Sequence, residues 1–473
     1  MNFIINYLSK NKIEICLLVF SIGLTVFSLN FPFYWDNIVQ ISVPANWYYD
    51  TNFSNFYIPD MLATGHPTFV PLYFAIIWKI FSKSLFISHL AMYPFILGLL
   101  WQINNLTKML TNKNNLRILI LLFVIADTTL LSQLSLITFD IMLMFFFFLC
   151  INAILKGKNI LLAFAYLGLV MVSLRGTICG GGILLFYILY NYSYNKKNLK
   201  IKNLISFIPG ILSIIIFLFS FYLEKGWVIH NTVSNAWKES AEFASPYEIL
   251  RNSGLFIWRL IDFGRVTIFL VFTFFIFKLI KKRQFENENL KTLFLIITCQ
   301  CIVFFPIIVI YRNPFGHRYL MPIITTTIIL VVIWIDLFKN GKKLVYTLSF
   351  LSLIFGHFLL YPEKIAQGWD ATTLHWNYYS TRKKMINYIK ENNLKVETIG
   401  SFFPNSSSFK YTDLDSDEIR FKNVNLEKDS LIVYSNTFNV EDEFIDTLFD
   451  KSKWTIVKDF TSNNIYIRLY KKL

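Results

Sequence analysis

Twelve apolar stretches follow one another along this chain, near residues 13–31, 67–82, 85–104, 117–135, 138–155, 159–174, 178–193, 203–223, 256–280, 292–311, 318–338 and 343–361. A hydrocarbon core about 30 Å thick is crossed by about 20 apolar residues in helical form. Only helices and closed barrels satisfy their backbone in lipid. The pattern therefore predicts a polytopic α-helical membrane protein. Composition agrees: 55% of the 473 residues are hydrophobic and 16% are charged, against about a quarter charged in soluble domains. The five cysteines (Cys16, Cys150, Cys179, Cys299, Cys301) all lie in apolar stretches and offer neither a disulfide framework nor zinc spacing. Lys10 and Lys12 precede the first stretch, and Pro32-Phe33-Tyr34-Trp35-Asp36 follows it with no small-residue cleavage site. That stretch reads as an uncleaved span.

The net charge of +15 would suggest nucleic acid in a soluble protein. Here the basic residues sit between apolar stretches, which is the positive-inside pattern, so no nucleic-acid partner is expected. The basic connectors are Lys10/Lys12, Lys108/Lys113/Arg117, Lys156/Lys158, Lys196/Lys197/Lys200/Lys202, Lys281/Lys282/Arg283 and Lys339/Lys342/Lys343. All fall on one side only if the 67–82 stretch lies flat at the interface. That stretch begins at Pro67, has Pro71 inside it and carries Lys79 near its end. Charge parity thus predicts about 11 transmembrane helices plus an interfacial helix in the first outer loop, with a cytoplasmic N-terminus. Residues 32–84, the 136–140 turn, the 224–255 loop and 312–317 then face outward.

From about residue 362 the composition changes. Arg382–Asn393 reads as an amphipathic helix, and Val396–Ser401, Glu418–Val424 and Leu431–Tyr434 as strands. Asp442–Asp450 reads as a helix, and Thr455–Phe460 with Ile465–Tyr470 as a hairpin around Asn463-Asn464. The chain divides into a membrane domain, 1–361, and a small soluble α/β or α+β domain, 362–473. Parity puts the latter outside, beside the candidate residues below.

Ionisable groups near a membrane are costly, and each is a functional candidate. Asp36 stands at the outer end of the first span, where a carboxylate can act as a base or bind a sugar hydroxyl; an acid capping the next helix is the plainer reading. His66, in Gly65-His66-Pro67-Thr68, can donate to a phosphate or act in proton transfer. Asp140 opens a span and also suits a helix start. Asp127 lies in the outer half of the preceding one. Arg175, Arg312, His317 and Arg318 run against the outer charge bias. Holding a phosphate explains such residues, since guanidinium binds it bidentately; snorkelling is the alternative. His230 lies in the 224–255 loop with Glu239, Glu242 and Glu248 and joins the phosphate-facing candidates.

The motifs Tyr34-Trp35-Asp36, Gly65-His66-Pro67, Pro71-Leu72-Tyr73-Phe74, Trp78-Lys79-Ile80-Phe81, Ser132-Gln133, Thr138-Phe139-Asp140 and Arg318-Tyr319-Leu320-Met321-Pro322 follow in order through the membrane part. In that order the chain resembles the polytopic, lipid-carrier-dependent glycosyltransferases of the GT-C fold, in the style of bacterial protein O-mannosyltransferases and the lipid A aminoarabinose transferase (glycosyltransferase family 39-like). The resemblance implies a multi-pass protein of the bacterial inner membrane. It would move a hexosyl or pentosyl group from a polyprenyl-phosphate donor to a lipid, glycan or protein acceptor outside the cytoplasm. It makes Asp36 the base or acceptor-orienting carboxylate and Asp140 the second acidic motif. His66, Arg175 and Arg318 would face the carrier phosphate. Relatives commonly carry an acidic pair after the first span; Asn37 takes the second place here, and one Asp is a poor divalent-cation site. No organic cofactor is implied, and a divalent metal is left open.

Two other classes compete. A glycolipid or ion transporter or flippase should show inverted repeats and midplane polar residues, whereas the ionisable residues here crowd the outer boundary. A polysaccharide polymerase or ligase should show one dominant outer loop rather than a first-loop Asp and a terminal soluble domain.

Overall fold

The computed structural model describes residues 11–194, 201–228, 242–282, 287–312, 315–416 and 418–473. The membrane part consists of α1 (Lys12–Ser28), α2 (Val43–Asp50), α3 (Phe69–Ile80), α4 (Leu85–Leu110), α5 (Asn114–Ile125), α6 (Thr128–Leu134), α7 (Phe139–Leu155), α8 (Asn159–Val172), α9 (Leu174–Tyr194), α10 (Ile208–Lys225), α11 (Pro246–Ile261), α12 (Val266–Lys282), α13 (Glu288–Ile310), α14 (Met321–Asp336) and α15 (Lys342–Gly356). Local chemistry sets many of their ends. The Ser84 and Thr138 side chains cap α4 and α7, Ser245 and Glu248 form a reciprocal capping box on α11, and Gly226 closes α10 at φ 72°.

By length and hydropathy α4, Leu204–Lys225, α13 and His317–Asp336 are each able to cross a bilayer alone. Two expected continuous spans are instead bent pairs: α5 meets α6 at 76° and α11 meets α12 at 106°. The breaks fall at Ala126–Asp127 and Asp262–Arg265, where charged groups interrupt the apolar runs. Counting each pair once gives up to six such spans among the described residues, with α7 and α8 as shorter apolar helices. The 12-residue α3 extends only about 18 Å, well short of a span.

At one end of the bundle Lys108 meets Glu14 at 2.5 Å, Arg117 donates to Asn104 at 2.9 Å, and Asp336 joins Lys113 at 2.7 Å and Lys342 at 3.4 Å. At the other end His89, near the start of α4, contacts the Phe31 carbonyl just after α1. The core runs through α7 and α14, where nearly every residue is buried.

The C-terminal part is built on a five-stranded sheet of order β2-β1-β3-β5-β4: β1 (Gly400–Ser401), β2 (Lys422–Asn423), β3 (Leu431–Ser435), β4 (Trp454–Ser462) and β5 (Ile465–Lys472). The hairpin turns at Asn463 and Asn464, with φ 45° and 65°. Two left-handed residues make the tight turn that matches strand twist, and Asn tolerates that region. α16 (His375–Glu391) packs on β4 and β5, α17 (Phe409–Thr412) packs on the Ile38–Ser42 segment that follows α1, and α18 (Asp442–Phe449) packs on β4. The two parallel strands are shorter than expected. Val396–Thr398 forms a 3-10 turn, and β1 pairs through only two residues on each side.

Candidate active site

The chain after α1 is drawn into an unusual conformation. Trp35 has φ 47°, and Ile38–Ser42 winds as a π-helix before α2. A left-handed φ is costly for an ordinary side chain, a π-helical turn is rare, and both concentrate at functional sites. Between them stands Asp36. It caps no helix; its carboxylate accepts from Nη2 of Arg318.

Arg318 lies in the 3-10 turn His317–Leu320 that leads into α14. It is bracketed by three carboxylates: Asp36, Asp370 through Nη1, and Asp140, 3.5 Å from Nε. Asp140 in turn accepts from Arg175 Nη1 at the start of α9, and from the Thr138 hydroxyl at 3.1 Å. Asp140 also occupies the first turn of α7, where the helix dipole favours a negative charge. The helix-start reading and the cluster reading therefore both hold for it. The Tyr319 ring lies under Arg175, 4.2 Å from ring centre to guanidinium carbon, and 5.5 Å from that of Arg318.

His66 lies beside this cluster. Its Nδ1 accepts weakly from the Leu174 N–H at 3.4 Å, and its ring meets Phe139 at 5.6 Å. Enclosure by protein, reinforced by the Arg175 charge, pulls the imidazole well below its ordinary pKa. His66 is thus neutral, with Nε2 as its N–H donor.

Asp370 is the member that sequence reasoning missed. It sits in the 3-10 turn Trp369–Ala371, beyond the last apolar stretch. Its backbone carbonyl accepts from Ser132 Oγ at 2.6 Å and Gln133 Nε2 at 2.9 Å. Burial raises its carboxyl above the usual range; Arg318 opposes this, and Asp36 and Asp140 add to it. A lone Asp in a polar segment carries no signal that could have singled it out.

Other candidates lie elsewhere. Arg312 is exposed and pairs with Glu242 and Glu248, so it does not join the cluster. His317 is fully buried but turns the other way, with Nε2 2.8 Å from Asp262 Oδ2 and near Arg259. Tyr361 also donates to Asp262. His230 and Glu239 lie outside the described residues. Asp127 caps α6 through Leu130 N–H and pairs with Arg265.

No group of three His, Cys, Asp or Glu among the described residues is arranged to hold a metal ion. The three carboxylates of the cluster are each committed to a guanidinium, which makes them poor joint ligands for a divalent cation. Between α12 and α13 lies an apolar groove lined by Phe272, Ile276, Phe294, Ile297 and Phe305.

The sequence matches no family model and no curated protein. The fold is similar to that in the crystal structure of ArnT from Cupriavidus metallidurans bound to undecaprenyl phosphate. The TM-score is 0.52 at 11% identity, over 97% of this chain and 98% of that one. The architecture is therefore GT-C-like: a polytopic helical membrane protein with a small strand-containing C-terminal domain.

Proposed function

We propose that this chain is a membrane glycosyltransferase, taking a hexosyl or pentosyl group from a polyprenyl-phosphate donor and passing it to an acceptor hydroxyl or amine outside the cytoplasm. The observation that carries this reading is the convergence of Asp36, Asp140, Arg175 and Arg318 at one end of the helical bundle. A phosphate leaving group calls for fixed guanidinium groups, and acceptor activation calls for an accessible carboxylate beside them. Asp36 is the accessible one: its side chain is 31% exposed, against 3% for Asp140 and 10% for Asp370. The similarity of the whole chain to ArnT, a protein solved with undecaprenyl phosphate, supports the choice of a lipid phosphate.

In this scheme the acceptor oxygen or nitrogen attacks the anomeric carbon while its proton passes to Asp36. The bond from that carbon to the phosphate oxygen breaks, and the lipid phosphate leaves with its electron pair. Arg318 and Arg175 carry the charge that develops on phosphate, and neutral His66 adds a hydrogen bond from Nε2. Asp140 keeps Arg175 and Arg318 aligned. The apolar groove between α12 and α13 suits an isoprenoid chain. Residues 1–361 form the membrane catalytic part and 362–473 an extracytoplasmic domain. Its sidedness rests on the basic connectors facing the cytoplasm, as in a bacterial inner membrane protein.

A transporter would share the bent helix pairs. Their break residues, however, are spent on one another, and Arg265 is fully buried. A liposome uptake assay separates the two readings. For the enzyme, the test uses the full chain in membranes with undecaprenyl-phosphate-linked hexoses and pentoses. Asp36→Asn is expected to abolish transfer while the protein still accumulates; full transfer by that variant refutes the assignment.

A further inference from the structure

Arg318 has more carboxylate partners than a phosphate-binding group can keep. Asp36, Asp140 and Asp370 face two guanidiniums, those of Arg175 and Arg318. The carboxyl groups outnumber the guanidiniums by one. An arriving phosphate meets an arginine already neutralised, and it gains from that arginine only if a carboxylate lets go.

The three acids differ in their freedom to do so. Asp140 is nearly inaccessible and is held by Arg175 and Thr138. Asp36 is the most exposed and can exchange Arg318 for water or an acceptor at small desolvation cost. Asp370 is fixed from both ends. Its carbonyl is held by Ser132 and Gln133 of α6, the next carbonyl, of Ala371, accepts from Thr129 Oγ1 at 3.3 Å, and the preceding Trp369 donates to Asn439 at 3.1 Å. These contacts hold its backbone against α6, and its side chain, only 10% exposed, has little solvent to turn into.

We propose that Asp370 is a positioning residue: from the C-terminal part of the chain it holds the Arg318 guanidinium in place, so that Asp36 is the partner released when the donor phosphate arrives. The inference rests on the glycosyltransferase reading above. Donor binding then arms the base, because the phosphate that occupies Arg318 frees the Asp36 carboxylate for the acceptor. The C-terminal domain becomes part of the active site through one side chain.

The backbone anchor of Asp370 is independent of its carboxylate, so Asp370→Asn keeps the docking and removes the charge. In the reconstituted full chain with an undecaprenyl-phosphate-linked sugar, Asp370→Asn is expected to lower kcat about 10- to 100-fold. The donor KM should change little, because the charge of Arg318 still attracts phosphate while its alignment to the transition state is lost. Asp370→Glu, which restores the charge with a longer reach, should fall between the two. Unchanged kcat in Asp370→Asn, or a rise in donor KM that accounts for the whole loss, overturns the inference and leaves the function standing. If Asp370→Asn does not accumulate, Asp370→Glu decides alone: parental kcat overturns the inference, and reduced kcat at parental KM supports it. Absence of transfer by the parent chain overturns both.

Discussion

Asp127 and Arg265 stand at the breaks of two different bent helix pairs, and Arg265 Nε donates to Asp127 Oδ2 over 2.6 Å. Arg265 is wholly buried and also reaches the Thr128 and Thr129 hydroxyls. One ion pair thus joins the α5–α6 joint to the α11–α12 joint. Removing one member of a buried pair leaves the other charge uncompensated, at a cost of about 3–5 kcal/mol. Arg265→Leu should therefore lower stability by that order in a detergent unfolding assay. The double variant Asp127→Leu with Arg265→Leu should lose less than the sum of the two single changes.

The same joint predicts a severe effect at Gly264. Its φ is 80°, and a Cβ there would lie 2.0 Å from the Ser352 carbonyl oxygen. That carbonyl belongs to α15, whose Ser352 hydroxyl also donates to Gly264 O at 2.6 Å. Backbone cannot yield as a flexible side chain does. Gly264→Ala should destabilise by more than about 1 kcal/mol, the usual gain or loss at an unstrained glycine. Loss of folded protein in fluorescence size-exclusion would register it.

His375 offers a pH signature. It is fully buried at the start of α16, and burial pulls its imidazole down to about 3. Its unfolded value is about 6.5. Between those two values the unfolded chain binds a proton that the folded chain refuses, so stability falls as pH drops through this window. His375→Gln removes that titration. The variant should show a shallower fall of Tm between pH 6.5 and pH 4 than the parent, and parallel curves would contradict the assignment.

Arg318→Lys tests the fork geometry in the candidate site. Lysine keeps the charge but supplies a point donor, not a planar pair. Loss of one oxyanion-directed donor costs about 10²–10³ in rate in enzymes of other classes. A similar drop in kcat/KM is expected here with undecaprenyl-phosphate-linked donor, and activity near that of the parent would argue against Arg318 as the phosphate group.

Much was legible in the residues themselves. Apolar length marks the helices of the membrane part, because lipid leaves the backbone no other partner than itself. Pro67, Pro71 and a short apolar run separate α3 from the spans, and its 12 residues leave it short of crossing. The Asn463-Asn464 pair marks the hairpin, since its two φ values require residues that tolerate the left-handed region. The breaks at Asp127 and at Asp262–Arg265 were also signalled, by charges inside apolar runs; reading those runs as continuous spans overlooked the cost of an unpaired charge in lipid.

Other features depend on contacts between distant parts of the chain. Asp36 and Arg318 lie 282 positions apart, and no local pattern says that they touch. His317 neighbours Arg318 in sequence but faces Asp262, because successive side chains of a tight turn diverge. Arg312 shares the same basic run and ends on the surface with Glu242 and Glu248. Asp370 reads as an ordinary polar residue until the C-terminal part docks on α6. Sequence alone determined where most of the apolar helices lie and which connectors between them are basic, since backbone satisfaction and charge transfer energies act locally. Only the tertiary structure decided which charges meet, because a buried ion pair is defined by the two elements that close over it.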